Sequence, residues 1–290
     1  MKLTRRRFLR LLGGGAAVAA GGASYALLWE PVWLRTARLD LPVPGLDAAF
    51  DGYTVAQLSD LHVGCGVPDS LLEEAAAAAN AALPDLAVVT GDLVHRGGTP
   101  QQVERAAAVL SGLRARDGVV AVLGNHDCGV YARTMRARRG TADRLAGALS
   151  AAGIRLLRNE AEAIRRGRAR LRVAGLGDLW SGEFDPDSAR VRDPSCPTLV
   201  LSHNPDTAPG LARRGAELVL SGHTHGGQVR LPFLGAPILP VIHREYAAGL
   251  YEVGATRLYV NSGIGWLRRV RFGVRPEVTV LRLRAAPSLT

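Results

Sequence analysis

The 290 residues suit one large α/β domain or two small ones, and 47% hydrophobic against 21% charged residues can bury a substantial core. The net charge of +10 does not mark a nucleic-acid protein: Lys2, Arg5, Arg6, Arg7 and Arg10 supply half of it, and the rest is spread through Arg-rich stretches such as 165–172 and 268–275. Cys65, Cys128 and Cys196 are odd in number and match no zinc-finger or redox spacing, which argues against a disulfide framework.

In chain order, Thr4-Arg5-Arg6-Arg7-Phe8-Leu9-Arg10 precedes a charge-free, Gly/Ala-rich stretch over 11–29. This resembles a twin-arginine export signal, with an ordinary basic-flanked membrane helix as the alternative. No clean Ala-x-Ala cleavage site follows, so the segment at 1–29 is expected to serve as a signal or to stay as a membrane anchor. The rest of the chain would then lie outside the bacterial cytoplasmic membrane. Residues 30–50 are Pro-rich and read as a linker or edge strand, and 51–290 as one catalytic domain. Apolar runs of strand length occur at 53–58, 86–89, 119–123, 171–176, 198–201, 217–220, 247–253, 257–260 and 277–283. Helical stretches lie at about 69–82, 100–115, 141–152 and 207–214. Helix alternating with strand predicts βαβ units and a largely parallel sheet in the first half; the strand-rich last third predicts a second sheet.

Ligands of such sheets bind just beyond the carboxyl ends of the strands. Five of those ends carry a metal-capable group: Asp60 and His62 after the first run, Gly91-Asp92 after the second and Gly124-Asn125-His126-Asp127 after the third. Ser202-His203-Asn204 and Gly222-His223-Thr224-His225-Gly226-Gly227-Gln228 follow 198–201 and 217–220. One such Asp is usually a turn cap, and one such His a structural residue. Five in order, with glycines that permit close backbone approach, point to metal chemistry.

The order Asp-x-His, Gly-Asp, Gly-Asn-His-Asp, lone His and Gly-His-x-His resembles the calcineurin-like metallophosphoesterase superfamily over nearly all of 53–283. The form Gly-His-Thr-His-Gly-Gly-Gln, the late Asn261-Ser262-Gly263 and Arg271-Phe272 with Pro276-Glu277-Val278 resemble its bacterial branch of exported or membrane-attached phosphodiesterases, some similar to UDP-2,3-diacylglucosamine hydrolases. The resemblance implies an α/β fold: a four-layer α/β/β/α sandwich of two mixed sheets flanked by helices. It implies two divalent metal ions, one held by Asp60, His62, Asp92 and His225, the other by Asp92, Asn125, His203 and His223, with Asp92 bridging. The mixed nitrogen and oxygen ligands suit Mn, Fe or Zn. The ions would acidify a water and neutralise phosphate charge. His126 would stabilise the transition state or protonate the leaving oxygen, and Asp127 would either orient its imidazole or cap a turn.

His95 stands where many relatives have an acid, and is expected to alter the cleft wall. His243 reads as surface, Asn204 and Asp206 as a turn, and Trp180 and Trp266 as packing. Cys65 and Cys128 either line the cleft or are small buried hydrophobes. Loops 63–70, 128–142, 178–196 and 230–246 are candidates for substrate choice. The function expected is hydrolysis of a phosphodiester or pyrophosphate in a lipid-linked or envelope substrate, with a membrane surface and the twin-arginine machinery as partners and no nucleic acid. A phosphomonoesterase for nucleotides or phosphoproteins is the alternative reaction, and a metal-binding scaffold without activity the non-enzymatic one.

Overall fold

The computed structural model describes residues 4–138, 140–193 and 195–286. Lys2 of the expected export signal, Arg139 and Pro194 of the candidate loops fall outside the described residues. Arg5–Ser24 form helix α1, and Tyr25–Trp29 extend it as a π-helical turn. No helix of the described residues is long and apolar enough to cross a membrane.

The first sheet contains β1 (Arg35–Pro44), β2 (Thr54–Leu58), β3 (Leu86–Thr90), β4 (Val119–Val122), β5 (Arg155–Leu156) and the last strand, β12 (Glu277–Ala286). Their order is β1-β12-β2-β3-β4-β5. The second contains β6 (Glu160–Arg166), β7 (Ala169–Gly175), β8 (Thr198–Leu201), β9 (Leu218–Ser221), β10 (Gly249–Val253) and β11 (Thr256–Val260), in the order β10-β11-β9-β8-β7-β6. Both are mixed. β2, β3, β4 and β5 run parallel and β12 antiparallel to β2; β7, β8, β9 and β11 run parallel, with β6 and β10 antiparallel at the edges.

Alternation along the strands assigns the layers. In β2 and β3, Ala56, Leu58, Ala87 and Val89 turn to α2 (Asp69–Asn80), α3 (Pro100–Ser111) and α4 (Thr141–Ala151). Val55, Leu86 and Val88 turn the other way, onto Leu171, Val173, Leu199 and Leu218 of the second sheet. The far face of that sheet, through Ala174, Val200 and Val219, packs on Leu211 of the short helix α5 (Ala208–Arg213). The result is the α/β/β/α sandwich. Strands covered on both faces are apolar throughout, which is why β3 reads as an unbroken run.

The short β5 was not predicted, and two further differences from expectation have a visible cause. The helix predicted at 100–115 stops at Ser111, because the Asn80 side chain accepts from the Arg114 N–H (2.7 Å) and donates to the Gly112 carbonyl (2.9 Å), taking up end groups of α3. β6 has no counterpart among the predicted strands: only Ile164 of its seven residues is buried, so this polar edge strand lacks an apolar run.

Candidate dinuclear metal site

Both sheets deliver their parallel carboxyl ends to one place. The Gln57 side chain ties those ends together, donating to Thr90 Oγ1 (3.0 Å) on the first sheet and to the Ser221 carbonyl (2.9 Å) on the second. Just beyond the ends, Asp60, His62, Asp92, His223 and His225 all have positive φ, between 47° and 71°. Such left-handed geometry is uncommon for residues other than glycine and persists where the surroundings enforce it. It turns each side chain off its strand axis into the space between the sheet ends. Gly222 and Gly124 permit the close approach: a Cβ on Gly222 would strike Ser59 Oγ and the Asp60 carboxylate, and one on Gly124 would strike the Asp92 carboxylate.

Two clusters result. In one, Asp60, His62 and His225 bring their ligand atoms together; in the other, Asp92, His203 and His223 do. His62 Nε2 and His225 Nε2 are 3.0 Å apart, and His225 Nε2 is 3.5 Å from Asp60 Oδ1. His203 Nε2 is 3.2 Å from both Asn125 Oδ1 and His223 Nδ1. Asp92 joins the clusters through one oxygen: Oδ2 lies 3.5 Å from His62 Nε2 and 3.3 Å from His203 Nε2. Its Oδ1 accepts the His126 N–H (2.8 Å). All seven expected ligands therefore converge, and all seven are buried. Backbone carbonyls fix ring orientations as metal-bound histidines require. Thr90 O lies 2.7 Å from His203 Nδ1, and Pro240 O 3.1 Å from His223 Nε2.

The donor set fits cations. Burial, together with the neighbouring Asp92, pushes the Asp60 carboxyl up to about 7. Burial also holds His62 and His225 well below the ordinary imidazole range, so these rings are neutral, with lone pairs available. Burial disfavours a charged His203, but Asp92 and Asp60 outweigh it and hold that imidazolium up to about 10. The buried carboxyls of Asp60 and Asp92 thus face His203 at close range, beside nitrogens that face one another at hydrogen-bond distance. Divalent ions would neutralise these carboxyls and take up the facing nitrogen lone pairs.

His126 lies above the His62 ring, centroid to centroid 4.7 Å and edge to face. Its Nδ1 accepts the Arg96 N–H (3.3 Å), which leaves Nε2 to carry the proton of the neutral ring. Asp127 is not its partner. The two Asp127 oxygens accept the Val94 N–H (3.0 Å) and the Gly124 N–H (2.9 Å), so the residue caps the turn that presents Asn125 and His126.

The ring beside His126 is His95, stacked at 4.8 Å and 26°, with its Nδ1 3.4 Å from His62 Nδ1. His62, His95 and His126 form a third cluster that motif reading did not assemble. Its only signal was the imidazole standing where relatives carry an acid. Trp180 packs edge-on against His223 at 4.7 Å, while Trp266 is buried and donates to the Cys65 carbonyl (3.0 Å). Asn204 accepts the Asp206 N–H within its turn, and His243 lies half exposed against Tyr246. Cys128 belongs to the helix-side core; Cys65, half-buried, turns its Sγ to the Leu267 carbonyl.

Asn261-Ser262-Gly263 and Glu277 prove to be a scaffold. Glu277 accepts from Tyr259 Oη (2.6 Å) and Ser262 Oγ (3.1 Å). The fully buried Arg271 donates to the carbonyls of Ser262, Val274, Gly263 and Gly265, bracing the loop that passes behind Asp60.

A two-sheet sandwich with paired acid–histidine clusters beyond its strand ends defines a dinuclear metal-dependent phosphoesterase. The chain belongs to the calcineurin-like phosphoesterase family, whose model matches residues 53–227. It is 36% identical to the phosphodiesterase YaeI of Escherichia coli (strain K12) over 281 residues, 97% of this chain and 99% of that one. It is 33% identical to the metallophosphoesterase YkuE of Bacillus subtilis (strain 168) over 292 residues, 98% and 99% of the two chains. With the UDP-2,3-diacylglucosamine pyrophosphatase LpxG of Chlamydia trachomatis serovar D it shares 30% identity over 305 residues, 89% of this chain and 92% of that one. The chain is a hydrolase of the metallophosphoesterase class and works with divalent metal ions.

Proposed function

We propose that this enzyme cleaves a phosphodiester or pyrophosphate bond in a lipid-linked or other envelope substrate, a UDP-2,3-diacylglucosamine-like molecule among the candidates. The observation that carries the chemistry is Asp92 Oδ2, placed 3.3–3.5 Å from a histidine of each cluster. Asp60, His62, Asp92 and His225 would hold one cation; Asp92, Asn125, His203 and His223 would hold the other. When bound, two such cations supply Lewis acidity that activates a water and neutralises charge on the phosphoryl oxygens. The chain does the positioning. The His126 N–H fixes Asp92, and the Arg96 N–H fixes the His126 ring so that its Nε2–H donates to the phosphoryl or leaving oxygen. Exposed Arg96, its guanidinium over the Tyr131 ring that neighbours His126, adds a positive charge suited to phosphate.

The activities in the names of YaeI and LpxG support a diester or pyrophosphate over a monoester. Export or anchoring through the twin-arginine machinery, with the catalytic domain on the outer side of the cytoplasmic membrane, is part of the same proposal. It rests on Arg5, Arg6 and Arg7 ahead of a charge-free stretch.

The test compares hydrolysis of bis-p-nitrophenyl phosphate and p-nitrophenyl phosphate by the full chain, metal-free and with added Mn²⁺. Metal-dependent turnover favouring the diester is expected, with His126→Ala lowering kcat about 10²–10⁴-fold and Asp92→Ala abolishing it. Preference for the monoester would shift the reading to a phosphomonoesterase, and no turnover with metal bound would leave a scaffold.

A further inference from the structure

The loop over 230–242 spends its largest apolar side chains on solvent. Phe233 is fully exposed, Leu234 is 79%, Ile238 78% and Ile242 62% exposed, with Leu231 beside them. Scattered exposed apolar residues are ordinary, whereas this many within twelve residues marks a contact surface.

The backbone beneath them is firmly held. Leu231 and Gly235 exchange two backbone hydrogen bonds (2.9 and 3.0 Å), closing a tight turn. Phe233 sits near its tip at φ +66°, a conformation that a bulky residue adopts only where its surroundings impose it. Arg244 donates to the carbonyls of Ala236 (3.1 Å) and Pro237 (3.0 Å), and the Asp206 carboxylate accepts the N–H groups of Ile242 and His243. At the base, Pro240 O meets His223 Nε2, so the loop rises directly from the metal clusters.

Charge identifies the occupant. The loop is stitched to the segment 264–275 by the Arg230 N–H on the Phe272 carbonyl (2.7 Å) and by the Gln228 side chain on the carbonyls of Arg268 and Val270. Residues 230–244 and 264–275 contain six arginines and no acid. Arg230, Arg244, Arg268 and Arg269 are exposed, and Leu267 adds a further exposed apolar side chain. Apolar side chains at a tip, with an arginine-rich fringe behind them in which Asp206 and Glu245 are outnumbered, match the layering of an anionic bilayer surface: acyl boundary first, phosphate layer next.

We propose that this loop docks the enzyme onto an anionic lipid bilayer, with Phe233, Leu234, Ile238 and Ile242 entering the interface and the arginines meeting lipid phosphates. The cleft then opens onto the membrane surface. Docking does not depend on the hydrolytic reading, since vesicle binding requires no turnover.

The test uses the full chain with vesicles of phosphatidylglycerol or of phosphatidylcholine, read by co-sedimentation and by hydrogen exchange. Binding at least about tenfold stronger to phosphatidylglycerol is expected, with exchange slowed at 229–243. A variant combining Phe233→Ser, Leu234→Ser, Ile238→Ser and Ile242→Ser, melting at the same temperature, should bind about tenfold more weakly or worse. Protection confined to α1, with 229–243 unchanged, would overturn the proposal. So would equal binding by the variant, or a lipid-free dimer in ultracentrifugation that the variant abolishes, since a second copy would then cover the loop.

Discussion

At the level of single residues, two aspartates of similar appearance in the sequence separate by what they touch. Asp92 is the hinge between the two acid–histidine clusters, while Asp127, two places from Asn125, spends both oxygens on backbone N–H groups. Asp127→Ala should therefore cost on the order of 2–4 kcal/mol in urea unfolding, since two buried donors lose their acceptor. A large kcat loss in a variant of unchanged stability would instead place Asp127 in the chemistry. Gly222→Ala should weaken Mn²⁺ binding at least about tenfold by calorimetry, because the new methyl must displace Ser59 or the Asp60 carboxylate; unchanged affinity would show that the turn relaxes at no cost. The seven converging positions were legible because acids and histidines at consecutive strand ends have few other reasons to recur. The partner of His126 was not, because the adjacent carboxylate of Asp127 can reach backbone as readily as imidazole, and sequence spacing does not choose between them.

At the level of elements, the strands with strong apolar runs could be read directly, and the edges could not. β6 is polar because only one of its faces meets the core, and the arrival of β12 beside β1 and β2 rests on pairing across more than 200 residues, which no local pattern encodes. The same applies to the loop after β11, whose motif residues are structural. Arg271 is its keystone. Arg271→Met should destabilise by roughly 3 kcal/mol, since four carbonyls lose a buried donor, and should weaken metal binding because Gly263 no longer bears on Asp60. Arg271→Lys should rescue little, as one ammonium cannot span the fork of the guanidinium. A lysine variant as stable as the parent would assign the bracing to other groups.

At the level of the whole molecule, the acid–histidine clusters join the two sheets at one end, because the ends of β2, β3 and β4 supply some of the converging side chains and those of β8 and β9 the others. Ions bound there bind the assembled sandwich and not the open chain. Chelation should lower Tm by about 5–10 °C relative to protein holding metal at a hundred times its Kd, and re-addition of Mn²⁺ should restore it. A Tm indifferent to chelation would mean that the sheets are locked without the ions.

β12, formed by residues 277–286, lies inside the first sheet and pairs with both β1 and β2, although more than 200 residues of chain separate it from either. Until residues 277–286 have left the ribosome, β1 has no partner in the sheet and β2 is paired with β3 on one side only. The first sheet cannot close before then, and a chain stopped short of residue 277 would not be a shorter enzyme but an unfinished one. The cell must keep the incomplete sandwich soluble until that strand emerges, and metal can be loaded only after that moment.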